Sequence, residues 1–189
     1  MKGDYYKTEA SVKAYIELAK NVNGGTLIEL LKDYLPLDSK VLEIGSGPGT
    51  DWRILNTYFQ VIGSDNSDEF INHLKTQNVN GEFLNLDATT LTIKDRFDGI
   101  YSNKVLHHLT NDQLSQSIKR QCQILNDSGI ICHSFWKGED SEIFKGLFVN
   151  YHDKPDLVSF YKDSFNILYL EYYEEFETDD SILLIAKKK

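Results

Sequence analysis

The chain contains, at residues 41–49, the stretch Val41-Leu42-Glu43-Ile44-Gly45-Ser46-Gly47-Pro48-Gly49, a short apolar strand that breaks directly into three alternating glycines. The apolar residues suit a strand buried in a parallel sheet. The glycines permit positive φ angles and let a ligand approach the backbone closely. Glu43 interrupts the apolar run, and a carboxylate near a strand end is well placed to hold an ammonium or a hydroxyl group. The stretch therefore predicts a nucleotide-type ligand site at the carboxyl end of this strand.

Length, composition and charge limit the class of protein. With 189 residues, of which 41% are hydrophobic, the chain is long enough for one domain with a substantial core. Its formal net charge of -9 would repel a phosphate backbone, so extended nucleic acid is not an expected partner. The first thirty residues carry charges at intervals, and no apolar run reaches membrane-spanning length. We therefore expect a soluble, cytoplasmic protein without a membrane partner. The two cysteines show no metal-ligand spacing.

Helical and strand patterns alternate along most of the chain. Helices are predicted at 8–21, 25–35, about 51–58, 67–76, 110–125, 141–151 and 155–162. Strands are predicted at 40–44, 60–64, 82–86, 97–102, 129–135, 165–173 and 181–186. Strands that alternate with helices indicate an α/β fold, a doubly wound parallel sheet with helices on both faces. The last two strands are separated by the acidic turn at 177–180, and this arrangement predicts a hairpin.

Successive predicted strands end at carboxylates. In open α/β sheets, ligands bind outside the carboxyl ends of the strands. Asp65 follows Gly45 by about 20 residues, the spacing at which a carboxylate accepts both ribose hydroxyls; the other interpretation is a turn or helix-cap aspartate. Asp87 follows the next strand and is able to accept a hydrogen bond from the exocyclic amine of an adenine, although it also fits an ordinary loop.

These motifs together resemble a class I S-adenosylmethionine-dependent methyltransferase of the small, stand-alone type, similar to methyltransferase types 11 and 25. The resemblance covers residues 38–135. It rests on the glycine loop at 43–49, on Gly63-Ser64-Asp65, on Leu86-Asp87-Ala88, and on the segment from 97–100 to Leu106-His107-His108-Leu109. It implies a Rossmann-like, seven-stranded, mostly parallel sheet with a C-terminal antiparallel hairpin. It also implies one domain over 1–189, with a helical lid at 1–36, an S-adenosylmethionine-binding core at 38–135, and a substrate-side insert and terminal hairpin at 136–189.

The resemblance also assigns roles to residues of the donor site. The implied cofactor-binding residues are Glu43, Gly45, Ser46, Gly47, Gly49, Asp65, Asn66, Asp87, Ala88 and Asn103. The glycine loop would contact the methionyl part through its backbone, with Glu43 near the ammonium group. Asp65 would hold the ribose, Asn66 would flank the adenine, and Asp87 and Ala88 would read its edge. The backbone around Asn103 would meet the methionyl end, and no metal is expected.

The acceptor side is expected to use aromatic and polar residues outside the core segment. The candidates for a substrate lid are Tyr5, Tyr6, Tyr15, Trp136, Tyr151 and His152, and simple packing on the sheet explains each of them equally well. His107 or His108 could accept a proton from the nucleophile, since histidine titrates near neutrality. The structural alternative is that these histidines pack or cap at a helix start. A small-molecule acceptor is expected, and in-line displacement from an activated sulfonium needs little covalent help.

Two other functions fit parts of the same pattern. A nicotinamide-dependent oxidoreductase also has a glycine loop and a later carboxylate. Its fingerprint requires a third glycine five positions after the first, however, where this chain has Thr50 and its third glycine comes one position early. The second alternative is a binding module that keeps the fold without catalysis. The predicted activity is S-adenosylmethionine-dependent methyl transfer, and the sequence does not identify the acceptor atom or the oligomeric state.

Overall fold

The computed structural model describes residues 8–20, 22–78, 80–144 and 146–189. The helices in these ranges are α1 (Glu9–Leu18), α2 (Gly25–Leu31), α3 (Thr50–Leu55), α4 (Asp68–Gln77), α5 (Asn111–Ile124) and α6 (Lys154–Tyr161), with a short 3-10 helix at Leu106–His108. The strands are β1 (Lys40–Ile44), β2 (Gln60–Asp65), β3 (Glu82–Asn85), β4 (Phe97–Asn103), β5 (Leu125–Trp136), β6 (Ser141–Phe144), β7 (Leu147–Asn150), β8 (Phe165–Tyr173) and β9 (Ser181–Lys188).

The main sheet of the described chain has seven strands in the order β3-β2-β1-β4-β5-β9-β8. The first five strands in this order, from β3 through β2, β1 and β4 to β5, pair in parallel, whereas β9 runs antiparallel to both β5 and β8. This arrangement confirms the predicted mostly parallel sheet with a C-terminal antiparallel hairpin. The carboxyl ends of β1, β2, β4 and β5 consequently lie along one edge, where the strand-end residues meet.

Both faces of the sheet carry a hydrophobic core. Neighbouring residues of β1 divide between the two cores, because successive side chains of a strand point to opposite faces. Val41 packs with α2, α3 and α4, while Leu42 packs with α5 and α6. Each helix buries one apolar stripe, and this burial offsets the conformational entropy lost when the helix forms. It therefore explains why helices cover both faces of the sheet, as predicted.

The prediction of a helix over 141–151 is wrong. This segment forms the hairpin of β6 and β7, in which Glu142 pairs with Val149 and Ile143 pairs with Phe148. Gly146 lies between the strands with φ of 83°, a left-handed conformation that glycine adopts without steric cost and that an α-helix does not contain. Ile143 is also 65% exposed, and all four residues of β6 are exposed, so this half of the segment has no buried face of the kind that stabilises a helix.

The helix content adds one finding about membranes. No helix in the described part of the chain is both long enough and apolar enough to span a bilayer.

Candidate functional site

The glycine loop follows β1 and turns back over its end. Gly45, Gly47 and Gly49 all have positive φ, at 74°, 48° and 77°. A Cβ atom on Gly45 would lie 2.4 Å from a methyl carbon of Val105, so the loop and the segment after β4 pack too closely for any side chain there. A Cβ atom on Gly47 would meet no atom within 4 Å. A side chain at Gly47 would therefore point into open space.

Glu43 supports this loop from below. Its side chain is 2% exposed, and the Ser46 hydroxyl donates a hydrogen bond of 2.5 Å to its Oε2 atom. Burial raises the pKa of Glu43 to about 8, the negative charge of Asp51 adds to the increase, and the bond from Ser46 opposes it. The carboxyl group is consequently protonated at neutral pH. Its predicted position near an ammonium group stays a prediction.

Asp65 joins the end of β2 to the glycine loop. Its Oδ2 atom accepts a hydrogen bond of 3.0 Å from the backbone N–H of Gly47, and its Oδ1 atom accepts one of 2.9 Å from Ser67. Burial raises the pKa of Asp65 to about 6, although backbone donors lower it in part. Asn66, the next residue, is exposed. The structure thus places Asp65 directly beside the open space at Gly47.

Asp51, in the first turn of α3, is a site residue that the sequence reasoning missed. Its Oδ1 atom accepts a hydrogen bond of 2.7 Å from the backbone N–H of Gly24. Its Oδ2 atom accepts bonds from the Tyr101 hydroxyl at 2.8 Å and from the Asn103 amide at 3.0 Å. Asp51 therefore connects α2, α3 and β4. Its position two residues after Gly49 was the available sequence signal for a role at the glycine loop. An acidic residue in the first turn of a helix is explained equally well, however, by a favourable interaction with the helix dipole.

Asn103 is the last residue of β4, and both the nitrogen and the oxygen of its side-chain amide form hydrogen bonds. Its Nδ2 group donates to Asp51, and its Oδ1 atom accepts a bond of 2.5 Å from the Ser134 hydroxyl at the end of β5. These contacts hold the end of β4 in place between α3 and β5. They leave the backbone of Asn103, the part that the sequence assigned to the ligand, at the sheet edge.

Asp87 and Ala88 form a turn after β3. The Oδ1 atom of Asp87 accepts bonds from the backbone N–H groups of Thr89 at 2.7 Å and Thr90 at 3.3 Å. The carbonyl of Ala88 accepts a bond of 2.6 Å from the Ser117 hydroxyl of α5. One carboxylate oxygen of Asp87 thus stabilises the turn itself, and its predicted contact with an adenine stays a prediction.

His107 and His108 lie in the 3-10 helix, with their rings 4.0 Å apart. His107 is 3% exposed, and its Nδ1 atom has no hydrogen-bond partner in the described chain. The His108 ring donates from Nδ1 to the carbonyl of Phe148 at 2.7 Å. Burial lowers the pKa of both imidazoles, and for His107 the neighbouring His108, Lys104 and His152 lower it further. Both rings are therefore neutral at physiological pH.

Lys104 is the second residue that sequence reasoning missed. It follows β4 with φ of 54°, and its ammonium group donates to the carbonyl of Phe135 at 2.9 Å and to the Ser181 hydroxyl at 2.5 Å. The same Nζ atom lies 3.7 Å from the ring centroid of Trp136. Burial lowers the pKa of Lys104 to about 7, although Glu175 and Asp180 oppose the shift. No local sequence pattern marks a lysine for this environment, because its partners come from β5 and β9.

The predicted lid residues occupy different surroundings. Tyr15 of α1 packs edge to face on Phe70 of α4, with ring centroids 5.9 Å apart. Trp136 stacks on Phe176 at 5.9 Å, and the Tyr151 hydroxyl donates to Glu142 at 2.6 Å. His152 is 2% exposed, and its Nε2 atom has no hydrogen-bond partner among the described residues. The predictions for Tyr5 and Tyr6 fall outside the described residues.

Comparison with protein families and curated proteins gives consistent matches. Residues 41–129 match the family model described as a methyltransferase domain. A protein described as an uncharacterized methyltransferase from Oceanobacillus iheyensis is 32% identical over 98 residues, which make up 49% of this chain and 44% of that protein. The chain thus spans less than half the length of this curated relative.

Solved structures of similar fold cover nearly the whole chain. The 1,6-didemethyltoxoflavin-N1-methyltransferase of Burkholderia thailandensis, solved with 1,6-didemethyltoxoflavin and S-adenosylhomocysteine, aligns with a TM-score of 0.79 at 17% identity, covering 95% of this chain and 84% of that chain. The N-methyltransferase NodS of Bradyrhizobium japonicum, in complex with S-adenosylhomocysteine, aligns with a TM-score of 0.69 at 14% identity, covering 89% of each chain. The comparisons confirm the predicted Rossmann-like fold and the resemblance to class I methyltransferases.

Proposed function

The core of this chain belongs to the methyltransferase-domain family, matched over residues 41–129, and from that premise we propose that the protein transfers a methyl group from S-adenosylmethionine to a small-molecule acceptor. The observation that carries the proposal is the open space at Gly47, bordered by Asp65 and by the backbone of the glycine loop. The solved relatives with bound S-adenosylhomocysteine support this choice of cofactor.

The donor site fits a nucleoside that carries no phosphates. A ribose needs a hydrogen-bond acceptor for its two hydroxyls, and Asp65 stands at the end of β2 with its carboxylate already oriented by two backbone N–H groups. A cationic sulfonium favours negative charge nearby, and Asp51 and Asp65 supply it on either side of the loop. We assign Glu43, Gly45, Ser46 and Gly47 to the loop that holds the methionyl part. Asn66, Asp87 and Ala88 are assigned to the adenine, Asn103 to the methionyl end, and Gly49 to the turn into α3.

The reaction proposed is an in-line displacement, in which the bound donor supplies a methyl group that is already activated by its positively charged sulfur. The residues then have to position the acceptor and exclude water, because the nucleophile needs little further activation. Of the two histidines, only His107 has an Nδ1 atom without a partner among the described residues, so we assign to it the acceptance of a proton from an acceptor group. His108 is held by its bond to Phe148 and is assigned to positioning.

The acceptor is proposed to be a small molecule. The relative solved with bound 1,6-didemethyltoxoflavin supports this class, and a net charge of -9 disfavours extended nucleic acid. We keep the division into an N-terminal lid at 1–36, a donor-binding core at 38–135 and an acceptor-side segment at 136–189 as part of the proposal. Tyr15, Trp136, Tyr151 and His152 are its acceptor-side candidates, and a cytoplasmic location stays a prediction.

Isothermal titration calorimetry tests the proposed cofactor. We expect the protein to bind S-adenosylhomocysteine and not to bind NADH, which serves as the matched dinucleotide control. Asp65→Ala should weaken binding of S-adenosylhomocysteine by about 1 to 3 kcal/mol, the usual contribution of a charged hydrogen-bond partner. Asp163→Asn, an exposed carboxylate on another surface, should leave it unchanged. Binding of NADH alone would contradict the proposal, and an unchanged affinity in Asp65→Ala would remove Asp65 from the site.

A further inference from the structure

A surface cavity lies outside the donor site, between the amino end of α5, strand β7 and helix α6. Its volume is about 370 Å³, a size that accommodates a small organic molecule. Asn150 and His152, which are 8% and 2% exposed, form its buried part. The carboxylates of Asp140 and Asp156 stand at its exposed rim, and Phe160 forms an apolar wall.

His152 gives this cavity an unused polar group. Its Nε2 atom is buried and has no hydrogen-bond partner in the described chain. The ring is fixed by edge-to-face contacts with Phe135 at 5.5 Å and with Phe160 at 5.8 Å. A buried polar atom without a partner costs free energy, and a ligand group that pairs with it recovers that cost. The His152 ring therefore forms a fixed aromatic wall at the buried base of the cavity, and the described chain leaves its Nε2 atom without a partner.

The cavity adjoins the sheet edge where the proposed reaction takes place. The backbone N–H of His152 donates to the carbonyl of Trp136, the last residue of β5, at 3.3 Å. His152 also lies close enough to His107 to influence its pKa. The cavity thus adjoins the end of β5 through His152, and this lining residue neighbours the histidine assigned to proton acceptance.

The charge at the rim determines which kind of molecule fits. Asp140 and Asp156 both line the cavity, and among the described residues no lysine or arginine lines it. Two carboxylates at the mouth attract a cation and repel an anion. The neutral amide and hydroxyl groups of Asn111, Asn150 and Ser159 offer further hydrogen bonds to a polar molecule.

We infer that this cavity is the acceptor subsite of the proposed methyltransferase, and that it takes a small planar or polar acceptor anchored by a cationic nitrogen group such as an amidinium or an ammonium. A separate, uncharged nucleophilic atom of the same molecule forms the new bond to the methyl carbon as the carbon–sulfur bond of the donor breaks and S-adenosylhomocysteine leaves. The cationic group lies between the carboxylates of Asp140 and Asp156, while the remainder of the molecule contacts Phe160 and the ring of His152. This inference rests on the proposed function, because it places the cavity in the same reaction as the donor site.

The first experiment measures binding in the cavity with three probes of equal shape. Benzamidine, benzamide and benzoate are titrated by ligand-observed nuclear magnetic resonance into protein saturated with S-adenosylhomocysteine. We expect benzamidine to bind most tightly and benzoate least. Asp156→Asn and Asp140→Asn should each weaken benzamidine binding about fivefold, the effect of removing one partly exposed charge partner. Asp140 has φ of 66°, which asparagine tolerates, and an asparagine at 156 keeps the oxygen that accepts the bond from the Asp153 backbone N–H.

The control variant is Asp163→Asn, which removes an exposed carboxylate outside the cavity and should leave benzamidine binding unchanged. Equal binding of benzamidine to wild type and to Asp156→Asn, or stronger binding of benzoate than of benzamidine, would overturn the inference. Calorimetry with S-adenosylhomocysteine on the same samples separates the two proposals. Absence of S-adenosylhomocysteine binding in the wild type would contradict the proposed function. Normal S-adenosylhomocysteine binding, together with probe binding that does not depend on the charge of the probe, would contradict only the inference about the cavity.

The second experiment measures turnover. A library of small amines, amidines and carboxylic acids is screened for release of S-adenosylhomocysteine from S-adenosylmethionine. Turnover of cationic nitrogen compounds, with KM raised about fivefold or more in Asp156→Asn and unchanged in Asp163→Asn, supports the inference. Turnover of carboxylic acids at a rate that Asp156→Asn does not alter would overturn it.

Discussion

Replacing Glu43 by glutamine should change how the stability of the protein depends on pH. Glu43 is 2% exposed and its pKa is about 8 in the folded protein, against 4.5 for an unperturbed glutamate. At pH values between 4.5 and 8, the Glu43 carboxyl group carries a proton in the folded protein and releases it in the unfolded chain. The contribution of Glu43 to stability is therefore complete below pH 4.5 and is lost as the pH rises through 8. Each pH unit in that window removes about 1.4 kcal/mol.

The assay is urea unfolding at pH 5, 6 and 7. From pH 5 to pH 7, the Glu43 carboxyl should lower the free energy of unfolding of the wild type by about 2 to 3 kcal/mol. Glu43→Gln has no proton to release and keeps an oxygen for the Ser46 hydroxyl, so its profile should be flatter by that amount. Asp65, whose pKa is also raised, titrates in both proteins and cancels in the difference. Glu139→Gln, at an exposed position, is the control and should follow the wild type. Parallel profiles for wild type and Glu43→Gln would refute the reasoning.

Three further predictions test the site. Gly47→Ala should lower the free energy of unfolding by about 1 to 2 kcal/mol because of its positive φ, and it should abolish binding of S-adenosylhomocysteine measured by calorimetry. Gly45→Ala should lower the thermal unfolding temperature more than Gly47→Ala does, because of its clash. Equal unfolding temperatures of the two variants would contradict the assignment. Asp51→Ala leaves three donors without their acceptor and should lower the free energy of unfolding in urea by about 3 kcal/mol, and a loss under about 1 kcal/mol would contradict its linking role. The fluorescence of Trp136 should titrate with a midpoint near pH 7 as Lys104 loses its proton, and the same titration in Lys104→Met would refute this origin.

The alternation of strands and helices was predictable from local pattern because each strand is a short apolar run closed by a turn residue. The proximity of Gly45 and Asp65 was predictable for the same reason, since Gly45 follows β1, Asp65 ends β2, and parallel strands bring their carboxyl ends together. The 141–151 segment was not predictable in this way. Its apolar residues fit a helical period, but the left-handed Gly146 and the exposure of all of β6 decided in favour of a hairpin.

The sequence by itself determined the fold class and the glycine loop with its carboxylates, because these depend on residues that are close along the chain. Tertiary structure alone decided the roles of Asp51 and Lys104. Asp51 meets Gly24 and Tyr101, which are 27 and 50 residues away, and Lys104 meets Ser181, which is 77 residues away. It also decided that the pKa of Glu43 is raised to about 8 and that the Nε2 atom of His152 has no partner among the described residues, because burial and the distance between charges arise only when the strand ends are assembled.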